Sequence, residues 1–152
     1  MKRLFVNLED HTASSGFTLI ELLIVGAVIV IILTIALPTY SNYSIRAKIG
    51  EALSPVAEVK SATASVCREG RTTGFLTNQV VAYKFKASKY VKNIVLSGTC
   101  NAPTIILTTR ATGAKPSPVL TITGDFDENA EQITWTCVSS GLDIHVPSIC
   151  RN

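Results

Sequence analysis

From Phe17 to Leu37 the chain is apolar at almost every position, and Glu21 is the only charged residue in the run. As a helix this stretch spans about 31 Å, enough for the ~30 Å hydrocarbon core of a bilayer. The pattern then changes. Ile45, Ile49, Ala52, Leu53, Val56, Val59, Thr63, Val66 and Cys67 recur at three- and four-residue steps, which is one stripe of an amphipathic helix. Arg46, Lys48, Glu51, Glu58 and Lys60 fall largely off that stripe. Helix formers continue to Glu69, and Gly70 suits the left-handed position just past a helix end. One helix is therefore predicted over 17–69, about 80 Å long if straight. Pro38 and Pro55 each remove a backbone donor and crowd the preceding turn, so a kink or local unwinding is expected near each.

After Gly70 the period shortens. Arg71-Thr72-Thr73-Gly74 reads as loop. Strand-type runs follow at Val80–Phe85, the weakest, then Tyr90–Leu96, Thr104–Thr109, Val119–Thr123 and Gln132–Val138. Gly98, Pro103, Gly113 with Pro116 and Pro118, and Gly124 with Asp125 separate them as breakers. Ile133, Trp135 and Cys137 alternate with Thr134 and Thr136, as in a strand with one face on a core. Short gaps favour an antiparallel meander. The fold class is α+β: a long N-terminal helix, membrane-spanning in its first half, packed on a small four-stranded antiparallel sheet.

Composition sharpens this outline. Hydrophobic residues make up 47% of the 152, and the net charge of +3 is too small to demand a nucleic-acid partner. Once the N-terminal helix is set aside, what remains is one small domain whose modest core would gain from staples. Cys67, Cys100, Cys137 and Cys150 supply them: they are even in number, all lie beyond the apolar run, and lack C-x-x-C spacing. Two disulfides in an exported domain follow, with three connectivities open. Lys2 and Arg3 on the cytoplasmic side place the C-terminal domain outside. A conventional cleaved signal fits poorly. Glu9, Asp10 and a polar stretch part the basic residues from the apolar run, and Thr34-Ile35-Ala36 is a weak cleavage site.

The segment Gly16-Phe17-Thr18-Leu19-Ile20-Glu21-Leu22-Leu23-Ile24-Val25-Gly26 resembles the N-terminal signature of type IV pilins. Pro38, Tyr40 and Tyr43 extend the likeness to residue 46. Trp135-Thr136-Cys137 and the closing Pro147-Ser148-Ile149-Cys150 look like that family's disulfide-bounded loop. The leader is longer and more acidic than the short basic leaders of the best-known branch, and Cys67 with Cys100 form a pair many members lack. The resemblance implies a leader over 1–16, cut between Gly16 and Phe17 by a prepilin peptidase that methylates the new amine. It implies a helix over 17–69, whose apolar part 17–37 serves membrane and filament core. The head over 70–152 then carries an αβ-loop, the sheet and a terminal loop closed by Cys137–Cys150, with Cys67–Cys100 as the second bridge. A loop as short as 137–150 is stabilised by ~3 kcal/mol on closure in the chain-entropy account.

In that reading Phe17 and Glu21 are the assembly residues. A carboxylate in lipid costs a few kcal/mol and asks for a partner. The family's partner is the Phe17 amine of a neighbouring subunit, which would set the axial register of a helical homopolymer. The plainer role for Glu21 is to help cap the helix N-terminus. The implied function is a structural pilus subunit, more in keeping with a major than a minor one. It passes from the inner membrane through the pilus assembly machinery to a surface fibre for adhesion, twitching motility or DNA uptake. The alternatives are a minor pilin, a type II secretion pseudopilin, a membrane-anchored binding module that never assembles, and a secreted adhesin or inhibitor.

Other motifs carry less. Tyr83-Lys84-Phe85-Lys86-Ala87-Ser88-Lys89-Tyr90-Val91-Lys92 mixes bases and aromatics as nucleic-acid surfaces do, but alternation explains it, with aromatics inward and lysines outward. Asp125-Phe126-Asp127-Glu128-Asn129 departs from the calcium-loop template at Ala130 and Thr136 and reads as a polar hairpin turn. His145 near Asp143 reads as loop surface, and the sequon Asn42-Tyr43-Ser44 falls in helix. No nucleophile–base pair, metal set or phosphate-binding glycine loop is legible, so neither an enzyme nor a cofactor is expected.

Overall fold

The computed structural model describes residues 16–71, 74–127 and 131–151. The leader therefore lies outside the described residues except for Gly16, as do Thr72, Thr73, Glu128, Asn129 and Ala130. The chain divides into two compact units, Met1–Leu37 and Pro38–Asn152. The first consists, where described, of the apolar start of helix α1 (Leu19–Ala52), and every residue from 16 to 37 is exposed.

The second unit holds the rest of α1, with Pro38 at its head, then α2 (Ser54–Arg68) and an antiparallel sheet. The break between the helices follows from Pro55. Without an N–H, this residue leaves the Glu51 carbonyl without its helical donor. The backbone tightens instead: Leu53 N–H is shared between the Ile49 and Gly50 carbonyls, and Val56 N–H donates to Leu53 at 3.0 Å. The apolar stripe runs unbroken across this joint. Ile45, Ile49, Ala52, Val56, Val59, Thr63 and Val66 are all buried, with Leu53 and Cys67 packed at the margin. Thr63 is tolerated there because its hydroxyl donates to the Val59 carbonyl at 2.8 Å. At the end of α2, Gly70 adopts φ 61°, Arg71 N–H donates back to Val66, and Gly70 N–H donates to Cys67. This pair of bonds is a Schellman closure.

The sheet is a meander in the order β1 (Val91–Gly98), β2 (Pro103–Thr109), β3 (Val119–Asp127), β4 (Gln132–Ser139). Its inward side chains, including Ile94, Leu96, Ile105, Leu107, Leu120 and Ile122, form one core with the helix stripe. Trp135 and Cys137 pack against that core, while Thr134 and Thr136 are exposed. Lys92 is the extra residue of a bulge, since Val91 pairs with Thr109 but Asn93 with Thr108. The bulge lets both Val91 and Ile94 face inward.

Four sequence expectations need correction here. Val80–Phe85 is not a strand. Residues 78–82 form a turn that closes like a helix end: Ala82 takes φ 54°, Tyr83 N–H donates to Asn78 and Ala82 N–H to Gln79. The edge that such a strand would have paired is already covered. Asn78 receives Leu96 N–H at 2.7 Å, donates to the Ile94 carbonyl at 2.8 Å, and Leu76 N–H bonds the Gly98 carbonyl. Gly124 is not a breaker but a paired residue of β3 opposite Trp135. A Cβ at Gly124 would sit 2.6 Å from Ile133 and 2.7 Å from Pro103, so the glycine makes room rather than a turn. Asp125 and Asp127 are likewise in strand, paired with Thr134 and Gln132, and Pro103 opens β2 instead of preceding it.

Two disulfides tie these parts together. Cys67–Cys100, with Cα atoms 5.4 Å apart, joins the end of α2 to the β1–β2 turn. Cys137–Cys150, at 4.5 Å, joins β4 to the chain end. Replacing Cys137 and Cys150 by Ser in the fragment Pro38–Asn152 is expected to cost about 2–5 kcal/mol, a large share of a small domain's stability, seen as a fall of many degrees in melting temperature. Tyr83 gives a pH test. Burial, and then the Glu58 carboxylate, raise its phenol above the ordinary tyrosine value. A folded-state pKa raised in this way contributes stability below the ordinary value that is lost as pH rises through the raised one. Tyr83→Phe should therefore flatten the alkaline fall in melting temperature and remove a phenol that ionises above the ordinary tyrosine value in a spectrophotometric titration.

Candidate functional site

The start of α1 is built by Thr18. Its carbonyl receives Leu22 N–H, the first helical bond, and its hydroxyl receives Glu21 N–H at 3.3 Å. The same hydroxyl reaches Glu21 Oε2 at a long 3.5 Å. Thr18 and Glu21 thus have the Thr-x-x-Glu spacing of a capping box, a signal the sequence reading passed over. The cap is Thr18, and the Glu21 carboxylate meets only its hydroxyl rather than a backbone N–H. That one long contact satisfies little of the carboxylate, which has acceptor capacity for about four donors. Around it the surface is apolar: Phe17 is 78% exposed, Leu19 82% and Ile20 68%. Gly16 and Phe17 lie in irregular backbone just before the helix. By length and composition the helix is able to cross a membrane. Thr34 does not oppose this, because its hydroxyl is bonded to the Ile31 carbonyl at 2.7 Å.

The head carries a second locus, the terminal loop. Beyond β4 the chain makes two short 3-10 turns, Asp143–His145 and Ser148–Cys150. Val146 and Cys150 plug into the core, while Leu142, Ile144 and Ile149 remain exposed. The loop is clasped to α1: Arg46 donates two bonds to the Ile144 carbonyl, the shorter 2.7 Å, and His145 Nε2 lies 3.1 Å from Asn42 Oδ1. His145 is therefore half-buried and bonded rather than loop surface. Its partner sits 103 positions away, and no local pattern announces such a pair.

The basic–aromatic segment is irregular up to Tyr90. Tyr83 is buried and Phe85 and Tyr90 pack on the core, while Lys84, Lys86, Lys89 and Lys92 are exposed. Alternation of aromatics inward and lysines outward thus holds without a strand to impose it. Arg110 fixes the segment by donating to the Ser88 carbonyl at 2.7 and 3.1 Å. Among the described residues no group of three metal-ligating side chains converges.

Three sites are thus distinct. An exposed apolar helix carries one carboxylate, a compact head is stapled by two disulfides, and a terminal loop is clasped to the helix. Known proteins are similar in sequence to this chain. The family model described as pilin, a bacterial filament, matches residues 45–151. The chain is 33% identical to the fimbrial protein EcpC of Eikenella corrodens, over 90% of both chains. It is 29% identical to the type IV major pilin protein PilE of Neisseria gonorrhoeae, over 93% of this chain and 96% of that one. To a probable minor fimbrial protein of Dichelobacter nodosus it is 28% identical, over 90% and 94%. With most of its length matched by the family and by a relative above 30% identity, the chain belongs to the pilin family, the structural subunits of a bacterial filament.

Proposed function

We propose that the chain is made as a precursor held in the inner membrane, is cut between Gly16 and Phe17 by a prepilin peptidase, is methylated on the new Phe17 amine, and is then polymerised by the pilus machinery as the main subunit of a type IV pilus. The observation that carries this reading is the exposed apolar surface from Phe17 to Leu37 with Glu21 as its one charge. Such a surface cannot stay in water. Lipid covers it before assembly, and copies of the same helix cover it in a filament built on heterologous contacts.

Glu21 then decides the register. Its bond to Thr18 is long and exposed, so it is readily exchanged for a stronger, charge-assisted one. The Phe17 amine freed by cleavage is the cation that suits it. An amine and a carboxylate in an apolar medium are each costly alone and pair where geometry allows. Pairing between the Glu21 of one subunit and the Phe17 of the next fixes the axial step. The full-length likeness to a relative named a major pilin supports the main-subunit role. The resulting surface fibre serves adhesion or twitching motility; DNA uptake would draw on the exposed lysines from Lys84 to Lys92.

Intact-mass analysis of purified fibres should give a subunit beginning at N-methylated Phe17. A start after Ala36, or an uncut Met1, would remove the basis of the proposal. Glu21→Ala should insert into the membrane at least as well as the parent, since a buried charge is lost, yet yield few or no fibres by electron microscopy. A normal fibre yield from that variant would refute the register role.

A further inference from the structure

Lys60 stands out in the head. It leaves α2 at a cleft of 180 Å³ walled by Leu53, Val56, Ile122, Ile149 and the Cys137–Cys150 disulfide. Its ammonium lies over the Trp135 ring, 5.3 Å from the centroid. Among the described residues no carboxylate forms an ion pair with it. Burial lowers its pKa, so the charge is held where water serves it poorly. The ring face offsets part of that cost, but offers no hydrogen-bond acceptor.

An apolar cavity with one polar group at its edge is the usual form of a small-molecule site, the walls holding the body of the ligand and the polar group fixing its orientation. A cavity of about 150 Å³ accommodates a benzene ring, so 180 Å³ suits one ring or a short alkyl chain. We propose that this cleft binds a small amphipathic carboxylate, a short-chain fatty acid or an aryl acid, with its apolar body against Leu53, Val56 and Ile122 and its carboxylate on the Lys60 ammonium. The other ligand classes fit less well. A cationic head would meet Lys60 as a like charge. A phosphate or sulfate would turn most of its oxygens towards hydrocarbon and sulfur, leaving them undonated. A neutral alcohol would fill the cavity and accept a hydrogen bond from the ammonium, but brings no opposite charge. The bound acid would bridge α2 and the terminal loop, both of which line the cleft.

Trp135 is the chain's one tryptophan, so its emission reports directly on the ring under Lys60. Purified filaments are titrated with hexanoate, hexanol and hexylamine. The expected result is a saturable change in emission with hexanoate, with affinity at least about tenfold above that for hexanol and no saturable response to hexylamine. That comparison needs no variant. Lys60→Met, which keeps the stem and removes the charge, should bring hexanoate down to the level of hexanol. Ala57→Phe, which fills the cleft from α2 and leaves Lys60 in place, should abolish both responses. No saturable response in the parent filaments, equal affinity for hexanoate and hexanol, or an unchanged hexanoate response in Lys60→Met would each overturn the proposal.

Discussion

The apolar surface of α1 from Phe17 to Leu37 has no cover among the described residues, and this constraint governs everything else about the molecule. Leaving a large apolar side chain in water rather than burying it costs about 1.5–3 kcal/mol. Summed over this segment the penalty reaches tens of kcal/mol, several times the stability of a small domain. Hydrocarbon and a bundle of like helices both remove it, and to a similar extent, because lipid tails are as apolar as leucine. The hydrophobic term therefore forces the segment out of water without choosing between membrane and filament. Smaller terms choose. Close packing between copies is one, and the carboxylate of Glu21 is the other. Unpaired in lipid it costs a few kcal/mol, and in the proposed register it gains a cation.

The head solves a different problem, which is to be stable while small. Its core is one layer of helix stripe on one face of a four-stranded sheet. A two-layer domain of this size buries a modest area, and each local device matters more than it would in a larger protein. Asn78 covers the open edge of β1, where unpaired N–H and C=O groups would otherwise invite another strand. The missing Cβ of Gly124 admits Ile133 and Trp135 to the strand pair. The disulfides hold the chain end on β4 and the helix end on the β1–β2 turn. These devices keep the head intact while, in the proposed assembly, the N-terminal segment exchanges one apolar surrounding for another.

The terminal loop is held within the second unit. Val146 and Cys150 anchor it in the core, and Arg46 and Asn42 hold it to α1 through bonds that a single chain can make and keep. Its Ile149 and Cys150 help to wall the cleft that Lys60 lines, and the Lys60 ammonium lies over the Trp135 ring. The loop is thus fixed at both ends and along its length, while presenting Leu142, Ile144 and Ile149 outward. Exposed aliphatic side chains on a rigid loop suit contact with another surface better than the same residues on a loose one, because little ordering entropy remains to be lost.

Elements that repeat were legible in the sequence. The unbroken apolar run, the three-and-four stripe from Ile45 to Val66, the glycine closing α2 and the alternation of β4 each rest on a period or a local conformational preference. The family signature from Gly16 to Gly26 added what those periods could not, a reason for a carboxylate inside the apolar run. Features that depend on two distant segments were not legible. Gly124 reads as a breaker until Trp135 and Pro103 are seen on either side of it. Val80–Phe85 has strand composition, but Asn78 already occupies the edge it would have joined, and the turn at Ala82 carries the chain away. His145 reads as surface until Asn42 is placed beside it, and Lys60 as an outward charge until the cleft and Trp135 surround it. Periodicity records which face of an element avoids water. Which polar groups end up facing one another is decided only when the sheet, the helix and the chain end are brought together.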